Sequence, residues 1–223
     1  MRLIPPEHLK IAAGSKESAY YQIAKQYQTI LSEDGIQLEI IETAGSVDNS
    51  QLMDDPSSGV DIALIQGGIT ISNLSLNALA AVFPEPLLAF ARVDSKLEGN
   101  PFSWSNKRVA LGAEGSGTRA VVNELAKLTD APVLATRTGE AKSRMGGSKA
   151  SEALLRGELD LAFFVAPLTA PYLQPLLNDS SIQLLPINHG RALASQLPEA
   201  HYVNLYSGAI RYYPPYPAES IPL

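Results

Sequence analysis

The chain contains no cysteine. Thiol nucleophiles, disulfides and cysteine-ligated metals are therefore excluded, while the redox compartment stays open. Histidine is scarce: the three are His8, His189 and His201, and their positions match no ligand spacing. A metal centre is not expected, and nothing implies a cofactor. Charged residues make up only 18% of the chain and form no basic run; the net charge of −6 argues against nucleic acid as the main partner. No apolar run is long enough to span a bilayer. Met1-Arg2-Leu3-Ile4-Pro5-Pro6 is too short for a secretory signal.

Known catalytic templates are missing as well. A nucleophile elbow around Ser116 needs glycine where Glu114 stands. A Walker loop needs Lys and Ser/Thr after its last glycine, but Thr118-Arg119 follows Gly117. The dinucleotide fingerprint lacks its third glycine, replaced by Ala120.

What is present is a 223-residue chain, 45% hydrophobic, enough for one large or two smaller domains. Its most informative stretch runs from Val109 to Leu128. Val109-Ala110-Leu111 reads as a buried strand and Gly112 to Thr118 as a glycine-rich turn. Val121, Val122, Leu125, Ala126 and Leu128 recur at helical spacing. Such a turn presents the first N–H groups of a helix, whose dipole favours an anion by roughly 0.3–1 kcal/mol. Ser116 and Thr118 add hydroxyls, and Arg119 adds a cationic fork suited to carboxylate. The plainer reading is an ordinary capped strand-to-helix turn.

In chain order, Leu9–Ala13 reads as a first strand, followed by Gly14-Ser15 and a helix through Leu31 that ends at Gly35. Ile36–Glu42 alternates as a second strand, and Ser46 is placed as the N-cap of a helix over Val47–Met53. Val60–Gln66 is a near-continuous apolar strand of the parallel kind. A helical turn is expected over Asn73–Ala81 and a strand over Leu87–Arg92. The second half repeats the plan: strand Val109–Leu111, helix Ala120–Leu128, strand Val133–Thr136 and helix Ser148–Leu155, then Gly157 and strand Leu159–Val165. A glycine followed by a strand opening apolar-Asp-apolar-Ala occurs at Asp61 and again at Asp160, about a hundred residues apart, which indicates two similar lobes. Strand Ile182–Ile187, an amphipathic Arg191–Leu197 and a strand-like Tyr202–Ile210 complete the chain. The expected fold is α/β and two-lobed, with lobe one built from residues 1–88 and 189–223, lobe two from 89–188, and two crossings that make a hinge.

At this point the residues resemble the TAXI family of solute-binding proteins, the receptors of one branch of TRAP transporters. The matching pieces are Gly14-Ser15 with Tyr20, Thr43 through Asn49, Val60 through Gly68 and Glu85-Pro86-Leu87. In the second half they are Gly112 through Arg119, Gly157 through Asp160, and Phe163-Phe164-Val165. The resemblance implies a periplasmic-binding-protein fold of type II that holds a small anionic solute between its lobes, an acidic amino acid or a dicarboxylate. It also implies a TRAP-type membrane permease as partner, a monomer, and a periplasmic or extracytoplasmic location. Members of that family carry an export signal or an N-terminal anchor, so the chain is expected to have been trimmed or to act elsewhere.

Ligands of open α/β sheets sit at the carboxyl ends of strands. Candidate ligand-binding residues are therefore Gly14, Ser15, Gly45, Ser46, Asn49, Gln66, Gly115, Ser116, Gly117, Thr118 and Arg119, with Tyr20 and Phe164 as walls. Each has a plainer reading. Arg119 serves equally as a surface ion pair or a tie to a hinge strand, and Ser46 and Asn49 as helix caps. Tyr20, Phe164 and Trp104 can simply fill the core. Asp61 and Asp160 are expected to bind backbone N–H groups of the preceding turn. The main reading is a receptor without chemistry. The alternatives are a ligand-sensing module of a larger regulator or membrane protein, and an enzyme on the same scaffold, such as a prephenate-type dehydratase or a phosphoribosyl or pyrrole transferase. The enzyme reading has little support, because the turns carry no Cys, His or paired carboxylates.

Overall fold

The computed structural model describes residues 6–69, 76–97, 101–103, 106–130, 143–197 and 200–223. The expected strand Val133–Thr136, residue Trp104 and the start of the expected Asn73–Ala81 helix lie outside them.

The first lobe is a three-stranded parallel sheet, ordered β2-β1-β3, from β1 (His8–Ala12), β2 (Gln37–Ile41) and β3 (Ile62–Ala63). Leu9, Ile11, Leu38, Ile40 and Ile62 bury one face under Tyr20, Tyr21, Ile23, Ala24 and Leu31 of α1 (Ala19–Glu33). On the opposite face Lys10 and Glu39 pair across neighbouring strands at 3.7 Å. Ser18 caps α1 by accepting the N–H of Tyr21. Gly35, in the left-handed region, ends it, and Ile36 N–H closes back onto Leu31 O at 3.0 Å. Helix α2 (Ser46–Asp54) differs from expectation at its start. Its N-cap is Gly45, and Ser46 is already helical, because the Ser46 hydroxyl is used instead to accept the N–H of Gln66 at 3.0 Å.

The second lobe holds a mixed sheet ordered β5-β6-β4-β7, from β4 (Leu87–Arg92), β5 (Val109–Ala110), β6 (Leu161–Val165) and β7 (Ile182–Leu185). β5 runs parallel to β6, while β4 lies antiparallel between β6 and β7. One face, with Leu88, Phe90 and Phe164, packs on Ala150, Ala153 and Leu154 of α4 (Gly147–Leu155) and on Leu176 and Leu177 of α5 (Gln174–Asn178). The other, with Ala89, Ala91 and Phe163, packs on Val122, Leu125 and Ala126 of α3 (Gly117–Leu128). Both faces are covered, which explains the unbroken apolar runs in these strands.

The two lobes share a structural clasp. Asp61 accepts the N–H of Lys10 at 2.9 Å, and Asp160 accepts that of Arg108 at 2.8 Å. Each aspartate opens its strand and ties it to the start of the parallel neighbour. The partner is thus an adjacent strand, not the preceding turn.

The chain's end departs from the expected division. Helix α6 (Gly190–Ala194) leads to a short antiparallel pair, β8 (Asn204–Leu205) with β9 (Ile221–Pro222). Leu205 and Leu223 are buried in the cluster that holds Leu88 and Leu184, and the Tyr216 hydroxyl accepts the N–H of Leu184 at 3.3 Å. Residues 200–223 therefore pack on the second lobe, where 189–223 had been expected to complete the first. Their apolar side chains close the edge and face of β7. Strand β4 likewise belongs wholly to the second sheet, so the chain has passed between lobes before Leu87. Residues 76–81 are irregular instead of helical.

Candidate functional site

The carboxyl ends of β1, β3, β5 and β6 meet along a seam between the lobes, and four helices begin there. Gly45, before α2, packs against the backbone of Ser116, before α3. Val47 N–H donates across the seam to Gly115 O at 3.1 Å. Ser148, in the first turn of α4, donates to Glu17, just ahead of α1. Each helix turns its N-terminus, the positive end of its dipole, toward this seam.

The glycines make the approach possible. Gly115 has φ +73°, and a Cβ there would collide with the Asp48 carboxylate of α2. A Cβ on Gly117 would strike the Gln66 amide. Gln66 is buried three residues beyond β3, so a polar side chain that stood out in the sequence lies directly on the first residue of α3.

Most of the predicted hydroxyls are already committed. Ser116 caps α3, accepting Arg119 N–H at 3.3 Å and donating to Ala113 O at 2.6 Å. Thr118 Oγ1 accepts Val165 N–H at 3.0 Å, which pins α3 to the end of β6. Arg119 donates through Nε to Gly112 O at 2.9 Å and through Nη2 to Ser143 O at 2.7 Å. Burial lowers its affinity for the proton, opposed by the Glu114 carboxylate. It ties backbone carbonyls together beneath the turn. What the turn does present is backbone: among the described residues, the N–H groups of Gly117 and Thr118 meet no acceptor, as expected for a first helical turn.

In the first lobe, Asn49 is fully buried, donating to Leu64 O at 2.7 Å and accepting from Thr43 Oγ1 at 2.5 Å. Thr43 Oγ1 in turn accepts N–H bonds from Gly14 at 3.0 Å and Gly45 at 3.2 Å. Asn49 and Gly14 thus shape the seam from behind, and Ser15 is exposed at its rim. Phe164 corrects the expectation of a wall. It is 2% exposed and sits edge-on to Phe90 at 6.0 Å, because β6 is sandwiched between helices. Its ring supports Tyr172 at 5.9 Å.

Two residues escaped sequence reasoning, Glu85 and Tyr172. The Tyr20 hydroxyl donates to the Glu85 carboxylate, with the Ser46 hydroxyl near enough to act on it. Burial pushes the Glu85 carboxyl up to about 7, against the bond from Tyr20 that favours its ionised form. Burial and then the Glu85 charge raise both Tyr20 and Tyr172, which stay neutral. Glu85 reaches the seam because β4 is antiparallel to β6: Leu87 pairs with Val165, so the lead-in to β4 emerges at the carboxyl edge of its neighbours. In the sequence it stood in the matching piece Glu85-Pro86-Leu87, between prolines, and was not named as a ligand-binding residue.

Surface hollows lie elsewhere among the described residues. One of about 690 Å³ is lined by His8, Lys10, Gln37, Glu39 and Asp61, at the amino ends of the first sheet's strands; another, about 550 Å³, surrounds Arg108 and Asp160. Their charges already serve ion pairs and strand clasps. Among the described residues no group of three or more His, Cys, Asp or Glu could hold a metal, and no helix is long and apolar enough to cross a membrane.

Comparison with known structures identifies the architecture. An ancestral arginine-binding protein bound to arginine superposes with TM-score 0.54 at 13% identity, over 81% of this chain and 79% of that one. The alkanesulfonate-binding protein SsuA of Xanthomonas axonopodis pv. citri, bound to MOPS, gives 0.56 at 15% identity, over 86% and 64%. The Synechocystis PCC6803 CcmR regulatory domain, in complex with 2-PG, gives 0.53 at 18% identity, over 79% of each chain. These likenesses establish the type II two-lobed fold. Among curated proteins, none matches the sequence. The NMT1-like family model, by contrast, matches residues 11–206, nearly the whole chain, and this protein belongs to the NMT1-like family.

Proposed function

We propose that this protein is a solute-binding receptor that captures a small anionic solute at the interlobe seam and works, as a TAXI-type receptor, with a TRAP-type permease outside the cytoplasm. The observation that carries the reading is the convergence of four helix N-termini on one seam, with the Gly117 and Thr118 N–H groups left over to donate. A carboxylate or sulfonate placed there meets N–H donors and aligned dipoles without needing a side-chain cation. Arg119 contributes from beneath by fixing the turn. Closure of the lobes would trap the ligand and present one continuous surface to a partner. Fold neighbours that bind arginine or sulfonate show that the scaffold accommodates such groups in other chains. The order of the turn motifs along the sequence supports the TAXI assignment.

A thermal-shift panel of amino acids, dicarboxylates and sulfonates tests the proposal. A ligand at a hundred times its Kd stabilises by about 2.7 kcal/mol, a shift of several degrees for a protein of this size. A saturable shift with an acidic solute, without turnover, supports a receptor. Product formation from any shifting solute, or no shift across the panel, refutes it.

A further inference from the structure

We infer that the ligand is a zwitterion, its acid group on the N-terminus of α3 and its cationic nitrogen on Glu85 between Tyr20 and Tyr172. This rests on the receptor reading above and narrows its solute class.

The Tyr20 hydroxyl donates to the Glu85 carboxylate, and Tyr172 lies within its electrostatic reach from the segment after β6. Phe83 packs on Tyr20 with ring centres 5.6 Å apart, and Phe164 backs Tyr172. A half-buried carboxylate held by a tyrosine hydroxyl keeps acceptor capacity for an ammonium or guanidinium group. Among the described residues no Lys, Arg or His pairs with Glu85, and the groups that act on it are Tyr20 and burial alone. A withdrawn carboxylate without a countercharge is costly, and a ligand cation removes that cost.

The position relative to the anion donors is fixed by shared partners. The Tyr20 hydroxyl donates to Glu85 and lies close enough to Ser46 for that hydroxyl to act on it, Ser46 holds Gln66 N–H, and Gln66 lies on Gly117. Cation acceptor and anion donors are therefore linked through three side chains along one seam. The balance of charge agrees. Glu17, Asp48 and Glu85 all reach the seam, while Arg119 is turned onto carbonyls. A bare dianion would face these carboxylates, whereas a ligand carrying both signs satisfies both ends.

The test uses matched pairs with and without the nitrogen: L-glutamate against glutarate and taurine against ethanesulfonate, measured by calorimetry at pH 7. For the better-bound pair, the nitrogen-bearing member is expected to bind at least tenfold tighter. In Glu85→Gln that preference should fall below threefold, through weaker binding of the nitrogen-bearing member and equal or tighter binding of the nitrogen-free one, which no longer faces the Glu85 charge. An equal preference in both proteins, or wild-type protein that favours the nitrogen-free member, overturns the zwitterion while leaving the anion site standing. Failure of all four compounds to bind removes the anion reading itself. Should Glu85→Gln fold poorly, wild-type titrations in two buffers of different ionisation heat replace it. The cationic ligand must drive Glu85 to its ionised form and release part of a proton, whereas its nitrogen-free partner must not. Equal release for both overturns the inference.

Discussion

Glu85→Gln makes a stability prediction that needs no ligand. In the native state burial holds the Glu85 carboxyl near 7, against an ordinary value of 4.5. Between those values the folded protein binds more protons than the unfolded chain. Stability from this group is therefore present at low pH and lost as pH rises through that window. At 1.36 kcal/mol per pH unit, the full displacement corresponds to roughly 3 kcal/mol, and partial solvent contact trims this to roughly 2–3 kcal/mol. Glutamine keeps the shape and still accepts from Tyr20, but carries no charge. The variant should thus match wild type near pH 5 and exceed it by roughly 2–3 kcal/mol at pH 8, a melting difference of roughly 5–10 °C. Paired thermal melts across pH 5–8 read this directly. Parallel curves, with a constant offset between the two proteins, would refute the view that Glu85 is an uncompensated, withdrawn acid.

Two further substitutions separate packing from binding. Gly117→Ala adds a Cβ aimed at Gln66 across the seam, yet alanine in a helix is otherwise favoured by about 0.5–1 kcal/mol. Ligand affinity by calorimetry should fall tenfold or more while the apo melting temperature holds, and Gln66→Ala in the same chain should restore affinity; a fall in melting temperature with intact affinity contradicts this. Arg119→Lys loses the fork that spans Gly112 O and Ser143 O, at a cost of about 1–3 kcal/mol in urea unfolding, with affinity changed only a few-fold. A tenfold affinity loss with unchanged stability would instead make Arg119 a ligand contact.

The lobes were readable because their signals are local. Positive-φ glycines, a Ser cap and an apolar-Asp-apolar opening recur in both halves, and each is fixed within a few residues. The turns at Gly45 and Gly115–Thr118 were found for the same reason. Which of their atoms face the seam was not readable. Ser116, Thr118 and Asn49 spend their side chains on capping and on neighbouring strands, a choice made by tertiary partners such as Val165 N–H and Leu64 O. Glu85 was missed because its position depends on β4 running antiparallel, a property no nearby residue encodes. Residues 200–223 were misplaced for a related reason. Leu205, Tyr216 and Leu223 are apolar enough for either lobe, and only the exposed edge of β7 decides between them.

The central claim is that the first turn of α3 grips an acid through backbone donors. Amide NMR of the protein during titration with whichever acid of the thermal-shift panel stabilises it most measures those donors themselves. Saturable downfield shifts of the Gly117 and Thr118 N–H signals are predicted, at the same midpoint as the calorimetric Kd. Shifts confined to the hollow around His8, Gly35 and Gly59, with Gly117 and Thr118 unmoved, would contradict the account.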